Sequence, residues 1–208
     1  ATIDLREKVA FPPAIISDAL GCLMELEAIA EAVIVSTCNR TEIYVDSIGD
    51  PTPETDSQVS DVIDWLSRYH DLDSEELKQS CYFYEGDDVV RHLMRVSCGL
   101  DSMILGEPQI FGQIKSAFAL SKDLEVVGAA LGRAFQGAFT IAKEVRTETA
   151  IGESPVSVAY AAVVLADRIF SDLPSLSVLL IGAGRTIELV ARHLAERGVR
   201  SLVVANRT

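Results

Sequence analysis

Val33-Ile-Val-Ser-Thr-Cys-Asn-Arg-Thr-Glu-Ile-Tyr-Val45 sets two β-branched apolar runs on either side of a polar hexad, Thr37 to Glu42. The runs predict two strands, and the hexad has no Gly or Pro, so it does not read as an ordinary hairpin turn. Polar chemistry is expected on rigid strand ends. Cys38 is the strong nucleophile of the six residues, and Arg40, two positions on, is a cation that would favour its thiolate. The alternative is a structural thiol, because a free Cys commonly behaves as a small buried hydrophobe. Crowding Thr, Asn, Arg, Thr and Glu around one thiol weighs the other way, since each costs desolvation unless it finds a partner.

Outward from this stretch, Ile16, Ala19, Leu20, Leu23 and Leu26 fall at helical spacing and predict a helix over about 13–28. A turn-rich loop, Gly49 to Asp56, precedes a second helix marked by Val59, Val62, Ile63 and Leu66 and ending near His70. Ser74 is expected to cap a short helix through Leu77, and Cys81-Tyr-Phe-Tyr84 reads as a strand. From Asp87 the pattern turns helical, with Val89, Leu93, Val96 and Leu100 in one stripe and His92 and Arg95 beside it. A lone helical His is more often solvated or satisfied in packing than catalytic.

Between Gly99 and Gln113, Gly106, Pro108 and Gly112 are expected to interrupt any regular helix. The residues alone leave two readings even: a break between packed segments, or a bend that presents Ser102, Glu107, Gln109 and Gln113 to a ligand. A long helix over about 126–147 follows, with Leu131, Phe135, Ala138, Ala142 and Val145 on one face. Arg133, Lys143 and Arg146 lie elsewhere on it, as a solvated face or, in the sharper reading, a nucleic-acid patch.

Gly152-Glu-Ser-Pro155 marks a boundary between units 1–150 and 151–208. After an apolar helix from Val156 to Phe170, Ser177-Val-Leu-Leu-Ile-Gly-Ala-Gly184 is a buried strand entering a Gly-rich turn, then a helix from Ile187 to Arg197 and a strand from Leu202 to Ala205. That is a dinucleotide-binding βαβ pattern. Gly182 would allow the tight turn and Gly184 the approach of a pyrophosphate to the helix N-terminus, with Ala183, Arg185 and Thr186 in the same turn and Ile187 in the place of a third glycine. No acidic residue ends the second strand to hold a ribose 2′-hydroxyl. Asn206 and Arg207 stand there instead, and Arg207 is placed for a 2′-phosphate, which favours NADP over NAD.

The 208 residues are 49% hydrophobic and 24% charged, as in ordinary globular proteins, with no membrane-length apolar run and no secretory signal. Cys22, Cys38, Cys81 and Cys98 show no metal or CxxC spacing, so reduced thiols in the cytoplasm and no metal site are expected. A net charge of -13 speaks against non-specific nucleic-acid binding.

Ser36-Thr-Cys-Asn-Arg-Thr-Glu-Ile-Tyr44 resembles the signature of the glutamyl-tRNA reductases, NADPH-dependent enzymes that open the five-carbon route to tetrapyrroles. Gly99-Leu-Asp-Ser102, Gly106-Glu-Pro-Gln-Ile110, the run from Gly182 to Leu194 and Ala205-Asn-Arg-Thr208 are similar to further elements of that family, in the same order. Arg185 departs from the acidic residue many members carry. The resemblance implies an α/β chain: an α+β ferredoxin-like catalytic domain, long helices, then the first βαβ unit of a Rossmann domain. It makes Cys38 the nucleophile and His92, within His92-Leu-Met-Arg95, an acid/base or orienting group. Thr37, Cys38, Asn39, Arg40, Ser102, Glu107, Pro108, Gln109 and Gln113 become substrate-binding, and NADPH the cofactor. It also implies glutamyl-tRNA as substrate and an aminomutase as a partner taking the semialdehyde. The chain is expected to lack the family's opening strand and the C-terminal region through which the whole enzyme dimerises. Two other readings are a thioester-forming aldehyde dehydrogenase for a small substrate and a non-catalytic nucleotide-binding module.

Overall fold

The computed structural model describes residues 1–47, 55–102, 104–151 and 158–207, with backbone alone for 55–58 and Arg185. Strands β1 (Ile29–Ser36) and β2 (Thr41–Ser47) pair antiparallel, Val33 opposite Tyr44 and Ser36 opposite Thr41. Ala32 to Val35 are all buried, because β1 is covered on both faces. In β1 the uninterrupted apolar run Ala32 to Val35 has that meaning. Ile34 enters a core with Leu20 and Leu23 of α2 (Ile16–Met24) and with Trp65 and Leu66 of α3 (Thr55–His70), joined by Leu77 of α4 (Ser74–Ser80). Val33, Val35 and Tyr44 enter a second core with Leu93 of α5 (Asp87–Ser97), Ile114 of α6 (Pro108–Asp123) and Phe135 of α7 (Ala129–Glu148). Phe135 is fully buried, with the Tyr44 ring edge-on at 5.3 Å and Phe118 stacked at 5.1 Å.

A third core belongs to α8 (Val158–Ile169), β3 (Ser177–Ile181), α9 (Arg185–Glu196) and β4 (Ser201–Ala205), with Val163, Leu180, Leu194 and Val199 at its centre. Here β3 and β4 run parallel with α9 between them in the chain, as the βαβ pattern predicts, but β3 is not the buried strand expected: Leu180 faces the core while Leu179 and Ile181 are exposed. The whole is a mixed α/β chain, and among the described residues each sheet has two strands. No helix among them is long and apolar enough to cross a membrane.

Several expectations are corrected. The polar hexad is a hairpin connection after all, and Thr41 and Glu42 already belong to β2. Cys81 to Tyr84 form no strand; Tyr82 and Tyr84 keep the two-residue alternation and turn toward His92, but their backbone has no ladder partner among the described residues. The sheet of the expected ferredoxin-like domain is therefore represented by the hairpin. Pro108 and Gly112 do not break a helix: Pro108 sits in the first turn of α6, where a missing N–H costs nothing, and α6 runs on through Gly112. Asp73 rather than Ser74 caps α4, its Oδ1 accepting the Glu76 N–H at 2.8 Å. The helix over 13–28 is shorter, α2, and a further helix, α1 (Ile3–Lys8), precedes it. The expected boundary at Gly152 to Pro155, most of the Gly49 to Asp56 loop and Thr208 lie outside the described residues.

Candidate active site

The hairpin turns without glycine because Thr37 does the work of one. Its N–H donates to the Arg40 carbonyl at 2.8 Å, and its hydroxyl donates to the same carbonyl at 3.2 Å. The hydroxyl oxygen also accepts the N–H groups of Asn39 (3.2 Å) and Arg40 (3.1 Å). A Thr hydroxyl that satisfies backbone groups two and three residues on is a local substitute for a turn's own hydrogen bonds. The result is a rigid four-residue tip with Cys38 exposed on it.

Arg40 is held by side chains other than the thiol. Its guanidinium is taken by two acids: Nη1 donates to Glu42 Oε1 at 2.7 Å, and Nη2 donates to Asp101 Oδ2 at 3.1 Å and to the Asp101 carbonyl. Glu42 is buried and gathers further donors, Tyr44 Oη at 2.5 Å, Tyr82 Oη at 2.5 Å and His92 Nε2 at 2.9 Å. Burial pushes its carboxyl up, but the hydrogen bonds from His92, Tyr44 and Tyr82, with the Arg40 charge, outweigh that and hold it down at about 2. Burial, reinforced by Glu42, pushes both phenols well above their ordinary range. An ionised carboxylate only accepts, so Nε2 of His92 carries a proton and is spent on Glu42. His92, stacked on Tyr84 at 4.7 Å, thus reaches the site through Glu42 and Arg40 rather than as a group open to substrate.

The second half of the site comes from the 99–113 stretch. Gly99 and Gly106 have φ of +74° and +78°, the left-handed region that glycine permits, and the Gly106 N–H donates to the Gly99 carbonyl at 3.0 Å. Arg146 of α7 clamps the loop by donating to the carbonyls of Gly106 (3.3 Å) and Glu107 (3.0 Å). Of the three basic residues expected on a solvated face, Arg146 is therefore structural, while Arg133 and Lys143 are exposed.

These parts meet around one cavity of about 300 Å³. Thr37, Cys38, Asn39 and Arg40 line it from the hairpin tip, and Ser102, Glu107, Gln109 and Gln113 from the loop and α6. Val158 and Ala159 of α8 and Thr186 and Leu189 of α9 complete the wall. Pro108 and His92 stand outside the lining. A larger open depression, about 430 Å³, is bordered by Asp61, Asp64 and Arg68; it contains no cysteine and none of the sequence motifs, so the smaller cavity is the candidate site.

Around the Gly-rich turn, Gly182 has φ of +112° and its N–H donates to the Ala205 carbonyl at 2.7 Å, tying β3 to β4 at the turn. Gly184 is the N-cap of α9, with no side-chain cap and open space where a Cβ would stand. An uncapped helix start with a clear approach fits a dinucleotide pyrophosphate. Ile187 packs beneath the turn into the third core, 3.5 Å from where a Gly182 Cβ would be, which explains a large residue in the third-glycine place. Ala183 and Thr186 are exposed at the turn, Asn206 and Arg207 are exposed after β4, and the Arg185 side chain lies outside the description.

Glu42, Tyr44, Tyr82, Asp101 and Arg146 went unselected in the sequence. For two of them a signal existed: Arg40, Glu42 and Tyr44 alternate and share one face of a strand. Tyr82, Asp101 and Arg146 arrive from 40 or more residues away in sequence, and nothing local announces them.

Residues 1–149 match the family described as "Glutamyl-tRNAGlu reductase, N-terminal domain", and residues 164–208 match "Shikimate / quinate 5-dehydrogenase". The chain is 55% identical over 208 residues to a glutamyl-tRNA reductase of Marinomonas sp. and 56% over 209 to one of Pseudomonas entomophila. Both alignments cover all of this chain, and the chain spans about half the length of these relatives, 48% and 47%. Among solved structures, glutamyl-tRNA reductase from Methanopyrus kandleri is similar with a TM-score of 0.65 and 33% identity, over 100% of this chain and 47% of that one.

Proposed function

Because the chain belongs to the glutamyl-tRNA reductase family, we propose that it carries the catalytic thiol of an enzyme that reduces glutamyl-tRNA to glutamate 1-semialdehyde with NADPH, the first step of tetrapyrrole synthesis. The observation that carries the reading is the exposed Cys38 on a rigid tip, lining a cavity to which the 102–113 stretch contributes Ser102, Glu107, Gln109 and Gln113. Residues 1–150 are the catalytic unit and 151–208 the dinucleotide unit.

Cys38 Sγ attacks the ester carbonyl carbon, the bond to the ribose oxygen breaks, and the thiol's proton ends on the ribose hydroxyl. A thioester on Cys38 replaces one hard reduction by two easier steps. Glu107 is the anion on the wall and suits the substrate's α-ammonium group, while Arg40, whose fork has donors beyond those given to Glu42 and Asp101, suits its carboxylate. Ser102, Gln109 and Gln113 fix the remaining polar atoms, and holding the reacting groups together is itself worth several powers of ten. The turn from Gly182 to Ile187 would hold the pyrophosphate, and Arg207 with Asn206 the 2′-phosphate. Bound there, NADPH would supply the hydride to the acyl carbon, and the C–S bond would break to release the aldehyde and return the Cys38 thiolate.

The test is to mix the chain with glutamyl-tRNA in the absence of NADPH and search for a glutamyl adduct by intact mass and peptide mapping. An adduct on Cys38 with release of uncharged tRNA is expected, and none with Cys38→Ser. Acylation of Cys38→Ser at the ordinary rate would refute the covalent route.

A further inference from the structure

Leu5-Arg6-Glu7-Lys8 has no part in the chemistry so far. It forms α1, and the segment after α1 is stitched to the base of the Cys38 hairpin: the Phe11 N–H donates to Ser36 Oγ at 2.8 Å, and Thr41 Oγ1 donates to the Val9 carbonyl at 3.1 Å. Leu5 anchors the helix in the first core. From this fixed base Arg6 Nη1 donates to Asn39 Oδ1, with Nη2 donating to the Ala1 carbonyl at 3.2 Å. Asn39 follows Cys38 directly and lines the cavity.

A guanidinium has donors only, so the atom it holds must be the carboxamide oxygen, and the NH2 of Asn39 is turned away from it. Of the other polar side chains of the tip, Thr37 is occupied by the turn, and Arg40 is held by Glu42 and Asp101 with its remaining donors assigned to the substrate carboxylate. No described residue accepts from Asn39 Nδ2. Attack on a carbonyl converts its oxygen to an oxyanion, which is stabilised most by donors aimed before the reaction begins.

We propose that Arg6 is a positioning residue of this site: by holding Oδ1 it sets the Asn39 NH2 to donate to the oxyanion that forms when Cys38 attacks an acyl carbonyl. The proposal rests on the reading of Cys38 as acyl acceptor. As the C–S bond forms, the carbonyl π pair moves to oxygen; as the oxyanion collapses, the C–O bond breaks and the leaving oxygen takes the proton from the thiol.

The experiment compares two reagents on the full chain, with modification of Cys38 followed by peptide mapping because Cys22 and Cys81 are also exposed. p-Nitrophenyl acetate acylates through an oxyanion, whereas iodoacetamide alkylates at a saturated carbon and develops none. Asn39→Ala is expected to slow acylation at saturating ester by on the order of 100-fold, and Arg6→Ala by a smaller factor. The double variant should be no slower than Asn39→Ala, Arg6→Lys should recover part of the loss, and alkylation should be unchanged throughout. The proposal is overturned by wild-type acylation in Arg6→Ala, by losses that multiply in the double variant, or by alkylation falling in step with acylation, which would place Arg6 on the thiol or on the fold. Glutamyl-tRNA as the acyl donor separates this from the functional reading. The expected variant pattern with the nitrophenyl ester, together with no acylation by glutamyl-tRNA, upholds Arg6 and Asn39 and refutes the tRNA substrate; acylation by neither refutes both.

Discussion

Glu42 shows how one side chain can organise a site without lining it. Its carboxylate accepts from Arg40, Tyr44, Tyr82 and His92, so its loss leaves buried donors unpaired and Arg40 held by Asp101 alone. Breaking a buried charge pair from one side costs about 3–5 kcal/mol, and Glu42→Gln is expected to lower the urea midpoint at neutral pH accordingly. The sign of the acid response follows from the same contacts. The carboxyl sits lower in the folded chain, at about 2, than its ordinary 4.5. Its contribution is therefore complete above the unfolded value and disappears as pH falls from about 4.5 toward 2. Urea midpoints measured across that window should fall more steeply for the natural chain than for Glu42→Gln, and parallel curves would show that the cluster does not govern acid stability.

At the level of elements, β1 and α7 are joined by a cap that neither could supply alone. The register of β1 shifts between Ile29 and Glu31, and the Glu31 carboxylate accepts the N–H groups of Ala130 (3.0 Å) and Leu131 (2.8 Å) at the start of α7. Gly128, the N-cap, leaves room for it: a Cβ there would stand 2.4 Å from Glu31 Oε1. Gly128→Ala should displace the carboxylate and cost about 1–2 kcal/mol, the usual penalty for a lost cap. Gly112→Ala is the matched control, an exposed position inside α6 with nothing within 4 Å of the new Cβ. It should stabilise the chain by up to about 1 kcal/mol. Guanidinium titration of the two variants tests the pair, and equal midpoints would contradict both.

For the molecule as a whole, a net charge of -13 has to be reconciled with the RNA substrate proposed above. Proteins making 6–10 phosphate contacts lose roughly 10³–10⁵ in affinity between 50 and 200 mM salt. A chain this acidic is expected to make few such contacts, and under the proposed function its cavity takes the aminoacyl group. Binding of glutamyl-tRNA is expected to weaken by less than about 10-fold over that range, with uncharged RNA bound far more weakly. Fluorescence anisotropy against salt checks this, and a slope like that of a basic nucleic-acid binder would contradict it.

What the amino-acid sequence determined by itself was whatever rests on short-range periodicity and motif. Helices α3, α5 and α7 follow from apolar stripes, the β3–α9–β4 unit from an apolar run and a Gly-rich turn, and the polar tip from its own six residues. The hairpin geometry was also local but turned on which atoms the Thr37 hydroxyl contacts, which composition does not reveal. Tertiary structure alone decided the rest: that Arg40 is held by Glu42 and Asp101, that His92 donates to Glu42, and that Arg146 pins the 99–107 loop. It also turned Asn39 by means of a helix 33 residues away in sequence. Each depends on two distant segments packing to within hydrogen-bond range, and that proximity is set by the cores on either side of β1 rather than by any one stretch of chain.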